Sequence, residues 1–242
     1  MVPTRGRSGV VGIEPTDGFS NSGWYDRRMT ESAPSDGQQL AMAAALLRRG
    51  ELVGMPTETV YGLAGDALNA SAVARIFEAK GRPRFDPLIV HIAEIGDLPR
   101  LAATVPPKAM RLAQSLWPGP VTLVLPKTQR VPDLVTAGLG TVAIRMPRHP
   151  MALALIRGAG LPIAAPSANR FGEVSPTTAA HVRETFSEQQ VPIVLDGGTC
   201  EAGVESTVVS FAEDRPAILR PGAATREQIE QIIGEVDLVR RE

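Results

Sequence analysis

The sequence predicts an α/β domain: a twisted mixed sheet flanked by helices. Three observations carry this reading. Short apolar strands alternate with helix-length segments from residue 36 to residue 233. One of the strands, residues 88–92, is a near-continuous apolar run of the kind buried on both faces. With 242 residues, 43% of them hydrophobic, the chain is long enough to bury one core without disulfides or a structural metal.

The elements follow in order. Residues 36–49 read as a helix, capped by Ser35 or Asp36 and stopped by Gly50. A strand over 52–55 leads into a polar loop, and a helix over 71–80 ends at Gly81. After the strand at 88–92, a helix over 107–117 precedes a strand over 121–125, and a Pro/Gly loop leads to a strand over 141–146. Helix 150–157 precedes strand 162–165, and helix 178–186 precedes strand 193–195. Strands over 207–211 and 217–219 and a helix over 226–233 complete the domain, 36–233. Residues 1–35, rich in Gly, Ser, Pro, Arg and Asp without apolar periodicity, read as a disordered tail. In that tail Met29 is an alternative start, and Trp24 and Tyr25 are its residues able to dock on a surface. Residues 234–242 read as a C-terminal tail.

Composition excludes several classes. A balance of 25 basic against 26 acidic side chains excludes a strongly cationic nucleic-acid clamp. The single Cys200 excludes an internal disulfide framework and favours a reducing compartment. No stretch approaches the roughly 18 consecutive apolar residues of a membrane span, and the N-terminal stretch lacks the apolar region of a secretory signal. The expectation is a soluble, cytoplasmic protein with no membrane contact.

Polar residues unusual for such a core cluster in loops near strand ends, where open α/β sheets bind ligands. Pro56-Thr57-Glu58-Thr59-Val60-Tyr61-Gly62 follows a strand, and either orients a small polar ligand or forms a turn packed under Tyr61. Lys80, Arg82 and Arg84 lie within five residues stiffened by Pro83 and Pro87. Lys80 complements a helix C-terminus, and the whole cluster suits a triphosphate. Arg145 stands in an otherwise apolar strand, so it needs a partner: a ligand carboxylate or an internal salt bridge. Pro166-Ser167-Ala168-Asn169-Arg170-Phe171-Gly172 with Ser175, and Gly203-Val204-Glu205-Ser206-Thr207 with Arg220, add hydroxyls and a further cation.

Other chemistries lack their signatures. There is no G-x-x-x-x-G-K-[ST] segment and no G-x-S-x-G elbow. Gly138-Leu139-Gly140-Thr141-Val142-Ala143 leads into a strand rather than a helix, so it is not a dinucleotide fingerprint. His91, His149 and His181 lack metal-ligand spacing, and no protein metal site is expected.

Taken together, and in this order, Pro56-Thr57-Glu58-Thr59-Val60-Tyr61-Gly62, Lys80-x-Arg82-Pro83, Pro87-Leu88-Ile89-Val90-His91, Trp117-Pro118-Gly119-Pro120-Val121-Thr122, Ser167-Ala168-Asn169 and Glu205-Ser206-Thr207 resemble the threonylcarbamoyl-AMP synthase family, the YrdC-like domain. The resemblance implies a sheet around a cationic cavity, related to the dihydroxybutanone-phosphate-synthase fold. It implies a nucleotidyltransferase that joins L-threonine, bicarbonate and ATP, with Mg²⁺ accompanying the ATP. It implies that the L-threonylcarbamoyl-AMP so made passes to proteins that modify tRNA, with at most a weak tRNA contact by this chain. By position, threonine falls to Thr59, His91, Arg145, Ala165 and Ser206. ATP falls to Arg82, Asp86, Thr141, Ser167, Asn169, Ser175 and Arg220, with Lys80 and Arg82 as the catalytic cations. Many relatives carry Asn where this chain has Asp86, whose carboxylate would repel a triphosphate unless Mg²⁺ or Arg84 intervenes. The chain resembles the single-domain form of the family. Two rival readings use the same cavity: a carbamoyl-transfer module handling carbamoyl-AMP, and an RNA-binding module.

Overall fold

The computed structural model describes residues 35–239. The expected tail over 1–35, with Trp24, Tyr25 and Met29, therefore lies outside the described residues except for Ser35. That residue belongs to the first helix, α1 (Asp36–Arg48): its backbone N–H donates to Gln38 Oε1 at 2.9 Å while its hydroxyl caps the Gln38 N–H.

Among the described residues ten strands form one mixed sheet: β1 (Val53–Met55), β2 (Gly62–Asp66), β3 (Ile89–His91), β4 (Val121–Pro126), β5 (Thr141–Arg145), β6 (Ile163–Ala164), β7 (Ile193–Val194), β8 (Thr207–Ser210), β9 (Ala217–Arg220) and β10 (Asp237–Leu238). Their order across the sheet is β10-β9-β8-β4-β5-β3-β6-β2-β1-β7. The central strands β3 and β5 run parallel, whereas β4 and β6 flank them antiparallel.

The other helices are α2 (Ala70–Lys80), α3 (Leu98–Leu101), α4 (Pro107–Leu116), α5 (Asp133–Thr136), α6 (Pro150–Ala159), α7 (Ala179–Thr185) and α8 (Arg226–Ile233). Helix α2 begins where the Asn69 side chain accepts from the N–H groups of Ser71 and Ala72, and ends where Gly81 turns left-handed at φ 60°. Its buried Val73, Ile76 and Phe77 join the larger core, with residues of α4, β4 and β5. Helices α1 and α6 form a second apolar layer with Val53, Met55 and Ile163.

Period-two alternation makes the central strands two-faced. In β5, Val142 and Ile144 enter the larger core, while Thr141, Ala143 and Arg145 line a cavity on the opposite face. In β3, Val90 is core and Ile89 and His91 face the cavity.

Three expectations need correction. Strand β2 lies in the segment read as a polar loop: two glycines in five residues hide its strand character. Those glycines let neighbours close in, because a Cβ on Gly62 would stand 3.1 Å from Ala165 Cβ, and one on Gly65 3.1 Å from Ile76 and Leu52. Residues 237–238, assigned to a tail, pair with β9, the Asp237 N–H donating to Pro216 O at 3.0 Å. The helix expected over 107–117 stops at Leu116, since Trp117 precedes Pro118 and is extended.

Candidate functional site

A cavity of about 420 Å³ opens on the face of β3, β5, β4 and β8. At its buried end are Thr57, Thr59, His91, Arg145, Ala165 and Ser206. Towards solvent stand Arg82, Asp86, Thr141, Ser167, Glu205 and Arg220. Of the residues assigned from sequence, Lys80, Asn169 and Ser175 do not line it; the others do.

Every arginine in the cavity is held by a carboxylate. Arg82 pairs with Asp86 Oδ2 at 2.9 Å and donates to the carbonyls of Asp86 and Pro87, both at 3.1 Å. So Arg82, rather than Arg84, compensates the Asp86 charge. Arg220 Nη1 lies 3.2 Å from Glu205 Oε2, and Glu205 Oε1 accepts from the Ser175 hydroxyl at 2.9 Å. Arg145 Nη2 lies 2.7 Å from Glu58 Oε1 with both side chains almost wholly buried. The internal salt bridge that the sequence left open for Arg145 is therefore present, and it leaves Arg145 on the cavity wall.

The remaining polar atoms form a connected frame. Arg145 Nη1 donates to Thr59 Oγ1 at 2.8 Å and Nε to Gly119 O at 3.3 Å. Ser206 Oγ accepts from Arg220 Nη2 at 3.1 Å and lies 2.8 Å from Thr122 Oγ1. His91 is fully enclosed; burial first, and then the Arg145 charge, push its pKa down to about 3. It is a neutral ring at physiological pH, able to exchange hydrogen bonds but not to store a proton.

Lys80 sits behind the cavity rather than on its wall. Its ammonium donates to the carbonyls of Ser167 and Asn169, tying α2 to the loop that presents Ser167. Burial, and then the neighbouring Arg82, lower its pKa to about 8. Asn169 in turn braces the loop, its amide donating to Arg170 O and Glu173 O, both at 2.8 Å.

Four contributors stood in the segments quoted from sequence without a site role of their own: Thr57, Glu58, Thr122 and Glu205. Glu58 and Glu205 stood inside segments already singled out, and the need of Arg145 for a partner was plain. Which carboxylate met which arginine depended on contacts between strands remote in sequence. Thr122 was visible only as the last residue of the Trp117–Thr122 motif, being one hydroxyl in an apolar strand.

Arginine forks, hydroxyls and a neutral histidine around one cavity are groups suited to small anionic ligands. The Sua5/YciO/YrdC family profile, described as "Telomere recombination", matches residues 45–222. The chain belongs to this family. It is 54% identical over 209 residues to the threonylcarbamoyl-AMP synthase of Bacillus subtilis (strain 168), covering 86% of this chain and 60% of that protein. A putative threonylcarbamoyl-AMP synthase of Mycobacterium tuberculosis (strain ATCC 25618 / H37Rv) is 36% identical, over 81% of this chain and 89% of its own length. Among solved structures, Sua5 of P. abyssi complexed with L-threonine aligns with TM-score 0.82 and 50% identity, over 86% of this chain and 61% of that one. The chain thus spans about three fifths of the length of the Bacillus and P. abyssi proteins. Among the described residues, no helix is long and apolar enough to cross a membrane.

Proposed function

We propose that the chain joins L-threonine, bicarbonate and ATP into L-threonylcarbamoyl-AMP, releasing pyrophosphate and water. The observation that carries this reading is a single cavity with Arg145 at its buried end and Arg82 and Arg220 towards its mouth. One end suits an amino-acid carboxylate and the other a polyphosphate. The threonine-bound P. abyssi relative and the similarly sized M. tuberculosis relative support it.

In this reading Arg145 receives the substrate carboxylate, and Thr59, His91, Ser206 and the Ala165 backbone surround the rest of the amino acid. Arg82, Asp86, Thr141, Ser167, Asn169, Ser175 and Arg220 shape the nucleotide end, with Asn169 and Ser175 acting through the loop and Glu205. Threonine's amine takes up carbon dioxide, derived from bicarbonate, and loses a proton to give a carbamate. A carbamate oxygen attacks the α-phosphorus, the bond to the bridging oxygen breaks, and pyrophosphate leaves. The nucleophile is already anionic, so the residues contribute mainly position and charge neutralisation. Arg82 and Arg220 act directly, and Lys80 fixes the Ser167 loop while adding its field.

Among the described residues no group of three or more His, Cys, Asp or Glu could hold a metal. Mg²⁺ enters this scheme as part of the substrate, carried on the phosphates of ATP. The product passes to separate proteins that modify tRNA in the cytoplasm. A direct RNA-binding role is disfavoured by a net charge of −1.

Pyrophosphate release tests the reading. It should require threonine and bicarbonate together. Release from ATP alone at the same rate would point to another activity.

A further inference from the structure

Glu58 lies outside the cavity lining yet touches what the cavity uses most. It is 2% exposed. Its Oε1 stands 2.7 Å from Arg145 Nη2, and its Oε2 accepts from the Arg148 N–H at 3.0 Å. Its backbone carbonyl accepts from the Ala202 N–H at 2.9 Å, on the segment that leads to Ser206. Glu58 thereby joins three segments behind the buried end of the cavity. The guanidinium of Arg145 is gripped on three sides: Gly119 O at Nε, Thr59 Oγ1 at Nη1 and Glu58 at Nη2. Of these, only Glu58 carries a charge. The Glu58 contact satisfies the distance of an ion pair but not the angle of a hydrogen bond, so Nη2 and Oε1 are both left without a hydrogen-bond partner. A buried arginine with no counter-charge would be costly and free to turn towards other acceptors.

The geometry points to Glu58 as the positioning residue of a carboxylate clamp: from behind, it sets the plane in which Arg145 meets the α-carboxylate of an amino-acid substrate. This rests on the proposed role of Arg145. Glu58 touches no substrate, so its loss acts through Arg145 and leaves the nucleotide end alone.

The test compares Glu58→Gln with wild type, measuring affinity for L-threonine and for L-threoninol, which lacks the carboxylate, with a non-hydrolysable ATP analogue present. Threonine should bind about 10- to 150-fold more weakly to the variant, the range expected for a charge-assisted contact. Threoninol should change less than about 3-fold and the ATP analogue likewise, values within the scatter of a neutral site. Equal losses for threonine and threoninol would mean that Glu58 only holds the fold, and would overturn the proposal, as would unchanged threonine binding. Should Glu58→Gln fail to fold, NMR of the Arg145 guanidinium in the wild-type protein decides instead. Slow rotation about the Nε–Cζ bond is expected, and free rotation would refute the clamp. Failure of wild type to bind threonine would instead reject the substrate reading, while the rotation measurement still reports on how firmly Arg145 is held from behind.

Discussion

Replacing Arg82 with Ala separates the two ends of the cavity. The Arg82 side chain is 14% exposed, pairs with Asp86 at 2.9 Å and donates to the carbonyls of Asp86 and Pro87. Truncation removes two hydrogen bonds within the loop, worth about 1 kcal/mol each to stability. The partly exposed ion pair adds no more than about 1 kcal/mol. A loss of about 2–3 kcal/mol leaves a typical domain folded. If Arg82 binds the triphosphate as proposed, the same change removes a charge-assisted contact worth about 1.5–3 kcal/mol, or roughly 10- to 150-fold in ATP affinity. It also leaves the Asp86 carboxylate without its arginine, which adds repulsion. Calorimetric titration with ATP at two salt concentrations reads the effect, and Arg82→Lys, which keeps charge without the fork, should fall between the variants. Threonine affinity, which the proposed function assigns to Arg145, should hold. ATP binding as tight in the Arg82→Ala protein as in wild type would refute the phosphate role and with it the division of the cavity into two ends.

Three further outcomes follow from the same geometry. The pKa of Lys80 is lowered from 10.5 to about 8, so between those values the unfolded chain keeps a proton that the folded protein has released. Stability from this group therefore rises with pH, and the difference between wild type and Lys80→Met in urea unfolding should move in favour of wild type by up to about 3 kcal/mol from pH 7 to pH 10.5; a flat difference would show that Lys80 is not perturbed. Gly222→Ala would place a Cβ 2.4 Å from Glu205 O and 2.6 Å from Thr207 N, so the backbone beside Ser206 must shift. Its denaturation midpoint should fall by the equivalent of about 2 kcal/mol or more, and an unchanged midpoint would mean that this turn is slack. In competition assays threonine should be used first, serine about 10- to 200-fold less well, and valine far behind, because hydrogen-bonding sites reject an analogue that lacks the hydroxyl; valine matching serine would mean that the pocket reads shape alone.

The parts of this molecule legible in its sequence are those whose signals are local. The cap at Ser35 or Asp36, which the structure settles as Ser35, and Gly81 at another helix end mark their boundaries through contacts spanning a few residues. Arg145 likewise stood out as one charge in an otherwise apolar strand, and in the structure it lies on the cavity face of β5. Strand β2 escaped because Gly62 and Gly65 are chosen for closeness to Ala165, Leu52 and Ile76, which are set by tertiary packing and not by β-propensity. Strand β10 escaped because an edge strand of two exposed residues has no periodicity to read. At the site, the residue types that bind anions were visible, but the pairing of Arg145 with Glu58 and of Arg220 with Glu205 was not. Nor could sequence tell that the Lys80 ammonium turns to two backbone carbonyls, since both belong to a loop remote in the chain.

In the proposed function one cavity couples an amino acid, bicarbonate and the α-phosphate of ATP. Mass spectrometry of the products formed with ATP, ¹³C-bicarbonate and L-threonine reads that coupling at the product itself. An adduct of AMP with threonine that carries one labelled carbon is expected, appearing together with pyrophosphate and disappearing when either threonine or bicarbonate is omitted. A protein that binds ATP and threonine yet yields no labelled adduct would contradict it.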